Sequence, residues 1–286
     1  MPLHRIDRWA TLYFVRPVRR LAPSRTVAIP VLMYHGVPAA EARARDSYFS
    51  TATVLAVFAA HLRYLHENHY RTLTLSEAYD LVHTSTAPNP RAVVITFDDG
   101  YRDFYTNAFP ALSQYGYSAT VFLPTAYIAD TSRTFHGVEC LTWSEVRTLQ
   151  TAGIEFGSHT ATHPQLRTVA TETLIDEVRS SKQRIEDALG NRVKSFSYPF
   201  AFPQADSRFV LILRQILVDA GYENGVSTVI GRLDRTGDMM FMKRLPMNSY
   251  DDCSLFRAKI EGAYDWLQTL QFASKSIKTR LEKTSY

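Results

Sequence analysis

The sequence predicts an α/β protein whose chain closes into a distorted (β/α) barrel of seven or eight strands. Three observations lead there. From Val27 onward, β-type apolar runs alternate with amphipathic helical stretches, the rhythm of a parallel sheet with crossover helices. The runs number seven or eight, more than an open doubly wound sheet usually shows, and no Gly-x-Gly-x-x-Gly or Walker-type loop accompanies them. Polar groups follow four of the runs directly, as they would on the C-terminal rim of a barrel.

The first element is a basic leader, residues 1–27. Residues 1–28 hold six arginines against Asp7, a net +5, so of the formal +4 on the chain the remainder carries −1. A nearly neutral body has no electrostatic footprint for phosphate backbones, and no nucleic-acid partner is expected. The apolar stretch 9–15 is interrupted by Thr11, lacks a cleavage site behind it and is too short to span a bilayer. With Trp9, Leu12, Tyr13 and Phe14 set between arginines, the leader reads as a peripheral contact with an anionic membrane surface. A helix packed on the domain, or a loose tail, is the competing reading. The expected location is cytoplasmic, peripheral at the inner membrane surface if the leader meets lipid.

The domain itself spans 28–270, with its core motifs from 92, and 271–286 form a basic tail. Strands are expected at 28–34, 92–97, 118–123, 153–157, 193–197, 225–229 and 240–245, with a short one at 71–73. Helical periodicity is clearest over 171–189, where Leu174, Ile175, Val178, Ile185 and Leu189 share a face and Gly190 supplies the stop. Residues 54–65 and 101–115 behave similarly. Cys140 and Cys253 are far apart and form no Cys-x-x-Cys pair, so both are expected to be buried, reduced thiols.

The chemistry gathers after the strands. Thr96-Phe97-Asp98-Asp99-Gly100 ends an apolar run with two adjacent carboxylates, which leave a strand pointing in different directions. One can hold a cation while the other handles a proton; the plainer reading is a turn with an aspartate N-cap. His159 and His163, four apart, fall on one face if the segment forms a helical turn, and could chelate one metal ion. Unrelated surface histidines are the alternative. One carboxylate with two histidines leaves coordination positions open, as hydrolytic metal sites require. His35 follows the first strand and Tyr198 follows the strand ending at Ser197.

These motifs, in this order, resemble the polysaccharide deacetylases of carbohydrate esterase family 4, the NodB homology domain. Thr96 to Gly100 is similar to the first motif of the family, His159 to His163 to its second, and Ser197-Tyr198-Pro199-Phe200 to its third. Leu32-Met33-Tyr34-His35-Gly36-Val37 resembles the opening strand of a bacterial branch. The resemblance implies a NodB-type barrel that hydrolyses the N-acetyl amide of an amino sugar in a polysaccharide, oligosaccharide or glycan precursor. It implies Asp99, His159 and His163 as ligands of a divalent metal, most often zinc, with cobalt or nickel as substitutes. It implies Asp98 as general base and the backbone N–H of Tyr198 as oxyanion donor.

The chain departs from the family pattern twice. The third motif carries no arginine to partner the catalytic aspartate, and the fifth motif, usually Leu-x-His, reads Arg244-Leu245-Pro246-Met247. No histidine follows His163. The general acid is therefore expected to be His35, with His159 or water as alternatives. Arg244 and Asn248 are read as solvated or structural, and Trp143 and Tyr101 as core rings with a lesser chance of stacking on sugar. Two functional alternatives stay open: hydrolysis of another non-peptide amide, such as a formylated or acylated small sugar, and a catalytically weak carbohydrate-binding descendant.

Overall fold

The computed structural model describes residues 5–21, 28–40, 51–84 and 91–273. Its strands are β1 (Val31–Tyr34), β2 (Arg71–Leu73), β3 (Ala92–Phe97), β4 (Thr120–Leu123), β5 (Thr134–Phe135), β6 (Val138–Glu139), β7 (Glu155–Ser158), β8 (Ser195–Ser197), β9 (Asn224–Ile230) and β10 (Met242–Pro246). Helices α1 (Ile6–Ala10) and α2 (Arg16–Leu21) are joined by a π-helical turn over Thr11–Val15. There follow α3 (Leu55–Glu67), α4 (Leu75–Thr84), α5 (Phe109–Ser113), α6 (Trp143–Thr151), α7 (Thr171–Leu189), α8 (Ser207–Asp219) and α9 (Cys253–Ile260).

Seven strands close a parallel ring in the order β1, β10, β9, β8, β7, β4, β3, with β1 pairing back to β3. The far edge of β3 is divided: residues 92–94 pair with β2 and residues 96–97 with β4. That split edge distorts the barrel and accommodates an eighth strand. β5 and β6 form a separate antiparallel hairpin, which the sequence reading did not anticipate.

Strands buried on both faces read as continuous apolar runs, and every residue of β3 is buried. Within it the period of two sorts the side chains. Val94 joins an apolar layer with Val31, Phe122, Val226 and Met242, while Val93, Ile95 and Phe97 pack in the larger cluster with Leu62, Leu65 and Phe104. Continuing up the same column, Thr96 and then Asp98 are polar. The apolar floor thus gives way to a polar rim within four residues.

The helices end and begin on recognisable signals. Gly190 caps α7 in the left-handed conformation (φ 69°). Thr142 and Glu145 make a reciprocal capping box at α6. Asp252 accepts from the amides of Ser254 and Leu255 at α9. Cys140 is buried, but Cys253, at the first turn of α9, is exposed, contrary to expectation. Its position is the solvent side of a helix start, where no core contact is available.

Residues 5–21 of the leader pack on the domain. Arg5 bonds the Tyr250 carbonyl at 2.8 Å, Arg8 pairs with Asp252 at 2.7 Å, Arg16 with Glu261 at 3.3 Å and Arg19 with Asp265 at 3.2 Å. Thr11, buried at the π-helical turn, accepts from the Trp266 indole at 3.0 Å.

His61 joins α3 to this same corner. Its Nδ1 accepts from the Tyr34 hydroxyl at 2.9 Å, its Nε2–H donates to the Asp251 carbonyl, and its ring stacks on Phe256 at 4.1 Å. Burial holds the imidazole neutral, down to about 4. Because the folded value lies below that of the free side chain, the unfolded chain takes up the proton first as pH falls. The stabilisation is whole above about pH 6.5 and drains away as pH falls through about 4. In urea titrations below about pH 6, His61→Gln is expected to remove up to about 1.4 kcal/mol per pH unit from the slope of unfolding free energy. An unchanged slope would mean that this ring titrates normally.

Candidate active site

The rim at the C-terminal ends of the strands brings together His35 after β1, Asp98 and Asp99 after β3, His159 and His163 after β7, Ser197 on β8 and Arg244 on β10. Asp99 Oδ1 lies 3.6 Å from His159 Nε2 and 3.5 Å from His163 Nε2. The three donor atoms all fall within 4.8 Å of one another. Ligands about 2.0–2.1 Å from a tetrahedral ion stand about 3.3 Å apart, so these separations fit one cation. His159 Nδ1 donates to the Ser197 carbonyl at 2.8 Å, which fixes the tautomer and leaves Nε2 as the lone-pair donor. Burial lowers both imidazoles to about 4, so they are neutral at pH 7, the form a metal binds.

The His159 to His163 segment is not the helical turn the spacing suggested. It is an irregular turn in which Thr160 (φ 66°) and His163 (φ 58°) are both left-handed. Such a backbone persists only when its surroundings over-determine it. Here Glu177 of α7 does so: one carboxylate oxygen accepts from the amides of Ala161 and Thr162, each at 2.8 Å, and the other from the Thr162 hydroxyl at 2.6 Å. Thr160 Oγ1 accepts from the His163 amide at 3.0 Å. Glu177→Gln, which retains shape but trades an acceptor for a donor, is expected to weaken metal affinity about 10- to 100-fold. Competition against a chromophoric chelator measures it; unaltered affinity would mean the turn holds without the carboxylate.

Asp99 is left-handed as well (φ 72°), followed by Gly100 (φ 61°), where a Cβ would stand 3.0 Å from Leu123 and 3.2 Å from Ile128. The reversal turns Asp99 toward the histidines while Asp98, one residue earlier, stays in the barrel column. Tyr101 sits half-buried beside Asp99; burial, then the aspartate charge, push its phenol well above its ordinary range. Trp143 is buried at the start of α6. The rings of Phe135 and Phe200 lie 5.1 and 4.7 Å from that of His163, and exposed His136 at the β5–β6 turn lies 6.5 Å from it.

Asp98 has the partner its sequence motif lacks. Arg244, fully buried, donates both terminal nitrogens to the two oxygens of Asp98 at 2.8 Å each. The guanidinium is itself held by the Ser227 carbonyl at 3.0 Å, Thr96 Oγ1 at 3.2 Å and Ser197 Oγ at 3.2 Å. Ser197 Oγ also donates to Asp98 at 3.1 Å. Burial alone would raise the Asp98 carboxyl, but Arg244, with smaller help from His159 and His35, holds it well below the usual carboxylate range. Arg244 is therefore neither solvated nor peripheral. The legible signal was its register, two residues after buried Met242 on the inward column of a strand.

His35 Nε2 stands 4.0 Å from Asp98 Oδ2, partly exposed at the mouth. The expected oxyanion donor is not free: the Tyr198 amide donates to the Val226 carbonyl at 3.1 Å, because Tyr198 still continues the ladder of β8 with β9. Its phenol packs among Phe202 and Phe209.

The family described as polysaccharide deacetylase matches residues 85–224. YxkH of Bacillus subtilis (strain 168), assigned to the polysaccharide deacetylases, is 30% identical over 234 residues, 82% of this chain and 76% of that protein. The poly-beta-1,6-N-acetyl-D-glucosamine N-deacetylase of Staphylococcus aureus (strain MSSA476) is 25% identical over 158 residues, covering 52% of this chain and 53% of that protein. Among solved structures, Streptococcus pyogenes deacetylase PplD in complex with acetate superposes with a TM-score of 0.71, 22% identity, over 82% of this chain and 99% of that one. IcaB from Ammonifex degensii gives 0.67, 22% identity, over 84% and 97%. Barrel and relatives together define a hydrolase acting on carbon–nitrogen bonds outside peptides. The chain belongs to the polysaccharide deacetylase family.

Proposed function

We propose that the protein removes acetyl groups from the amide nitrogens of an N-acetylated glycan or glycan precursor, and that the rim around Asp98 is where it does so. The bidentate Asp98–Arg244 pair beside the Asp99, His159, His163 triad carries the reading. The poly-N-acetylglucosamine relatives support a glucosamine-based substrate.

In this reading Asp98 is the general base. Arg244 keeps it ionised and fixes both of its oxygens, so that it can accept the proton of a water attacking the acyl carbon. A carboxylate so held is a weak base; a zinc ion, or cobalt or nickel, on Asp99, His159 and His163 would supply the missing acidity to water and polarise the acyl oxygen. His35 is the acid that protonates the departing amine, since it is the partly exposed histidine nearest to Asp98. His159 is a poorer candidate, because Nδ1 is committed to Ser197 and Nε2 faces Asp99. Phe200 and His136 at the mouth would meet the sugar.

The test is acetate release from N-acetylglucosamine oligomers and N-acetylated polysaccharides by chelated and by zinc-, cobalt- or nickel-reconstituted protein. Metal-dependent release is expected, with His35→Ala slower by about 10²- to 10⁴-fold. No release by folded, metal-loaded protein would turn the search to another acyl substrate. Full activity in His35→Ala would return the acid role to water.

A further inference from the structure

The leader helix is inside out. Its charged residues Arg5, Asp7, Arg8, Arg16 and Arg19 turn toward the domain, where they pair with Tyr250, Tyr264, Asp252, Glu261 and Asp265. Among its described side chains the exposed ones are apolar, including Ile6, Trp9, Tyr13, Phe14, Val18 and Leu21, the last 88% exposed. Spacings of three, four, one, four and three place them along one face, the pattern of an amphipathic helix that has turned its apolar stripe to solvent. The Trp9 ring lies tilted against that of Phe14 at 4.6 Å and 6.5 Å from that of Tyr13, so the stripe carries a continuous aromatic patch. A folded domain rarely leaves such a stripe bare without a surface to meet it.

We propose that this stripe docks the protein on an anionic lipid surface, lying in the plane of the headgroups. Three observations select lipid as the occupant. Trp9 and Tyr13 carry the amphipathic rings that settle at headgroup depth. Among the described residues no helix is long and apolar enough to cross a membrane, so the stripe engages a surface and does not span one. The third is charge. Trp266 bonds Thr11 in the centre of the leader, the described chain ends seven residues later at 273, and Leu270 and Phe272 are exposed on the way. In the sequence, residues 274–286 carry Lys275, Lys278, Arg280 and Lys283 against Glu282, a net +3. A net-positive stretch of sequence a few residues from Trp266 suits anionic headgroups better than a second copy of equal charge. Arg8, Arg16 and Arg19 of the leader are not the lipid-binding charges, since Asp252, Glu261 and Asp265 hold them.

The test uses the full chain and sedimentation with phosphatidylcholine vesicles with or without about 30% phosphatidylglycerol. Binding to the anionic vesicles is expected, falling with added salt. Trp9→Ser combined with Tyr13→Ser and Phe14→Ser should lower the bound fraction about tenfold or more, as should Lys275→Glu with Lys278→Glu. Leu21→Asp, at the most exposed position, is the second variant should the triple change disturb folding; it should also weaken binding, with an unchanged melting temperature. Wild-type protein left in the supernatant, or binding indifferent to Leu21→Asp and the triple change, overturns the proposal. A dimer in solution that Leu21→Asp dissociates, with no vesicle binding, would assign the stripe to a second copy instead.

Discussion

Arg244→Met is expected to lower the rate of deacetylation by about 10²-fold or more, because a small misplacement of the reacting groups has an effect of that size. It should also destabilise the protein by about 3–5 kcal/mol, because it leaves the buried carboxylate of Asp98 without its counter-ion. Lysine should rescue poorly: a single ammonium cannot bond both oxygens of Asp98 and also reach Ser227. The decisive measurement is the pair of changes together. With Asp98→Asn added, no unpaired charge remains, so urea titration should recover most of the lost stability while acetate release stays abolished. Wild-type rates in Arg244→Met would reduce the pair to a structural device.

Asp98→Asn alone is expected to lower kcat by about 10³- to 10⁴-fold, the loss of a general base. Asparagine keeps the size and one acceptor oxygen, and Arg244 retains its bond to the Ser227 carbonyl, but the buried guanidinium loses its counter-ion, so stability should fall by an amount comparable to that in Arg244→Met. Asp98 is not one of the three clustered donors; metal stoichiometry, measured by elemental analysis after gel filtration, should stay unchanged. Loss of metal together with activity would move Asp98 into the ligand set and leave the base unassigned.

The two variants probe a relationship that could not be read along the chain. The carboxylate is at residue 98 and its guanidinium 146 positions later, on strands that are not neighbours in the ring. Thr96, Asp98 and Arg244 meet because they occupy inward columns of a closed barrel, and closure is a property of the whole sheet. The same holds for Glu177, which lies in the middle of a helix recognisable only by its apolar face. Its carboxylate is spent on a turn 15 and 16 residues earlier. Spacing misled at His159 and His163, because a four-residue interval fits both a helical turn and a left-handed bend, and only the Glu177 anchor distinguishes them.

What the sequence alone determined is the local chemistry: the alternation of strands and helices, the paired carboxylates at a strand end, the two histidines, and the family these motifs resemble. Short-range periodicity and motif order encode all of it, since each depends on residues within a few positions of one another. The tertiary structure alone decided which arginine serves Asp98, that the Tyr198 amide is engaged in the ladder, and that the leader turns Arg5, Arg8, Arg16 and Arg19 inward and its aromatic rings outward. Each of these depends on which buried polar groups find partners across the fold, and that is settled only when distant segments are packed together.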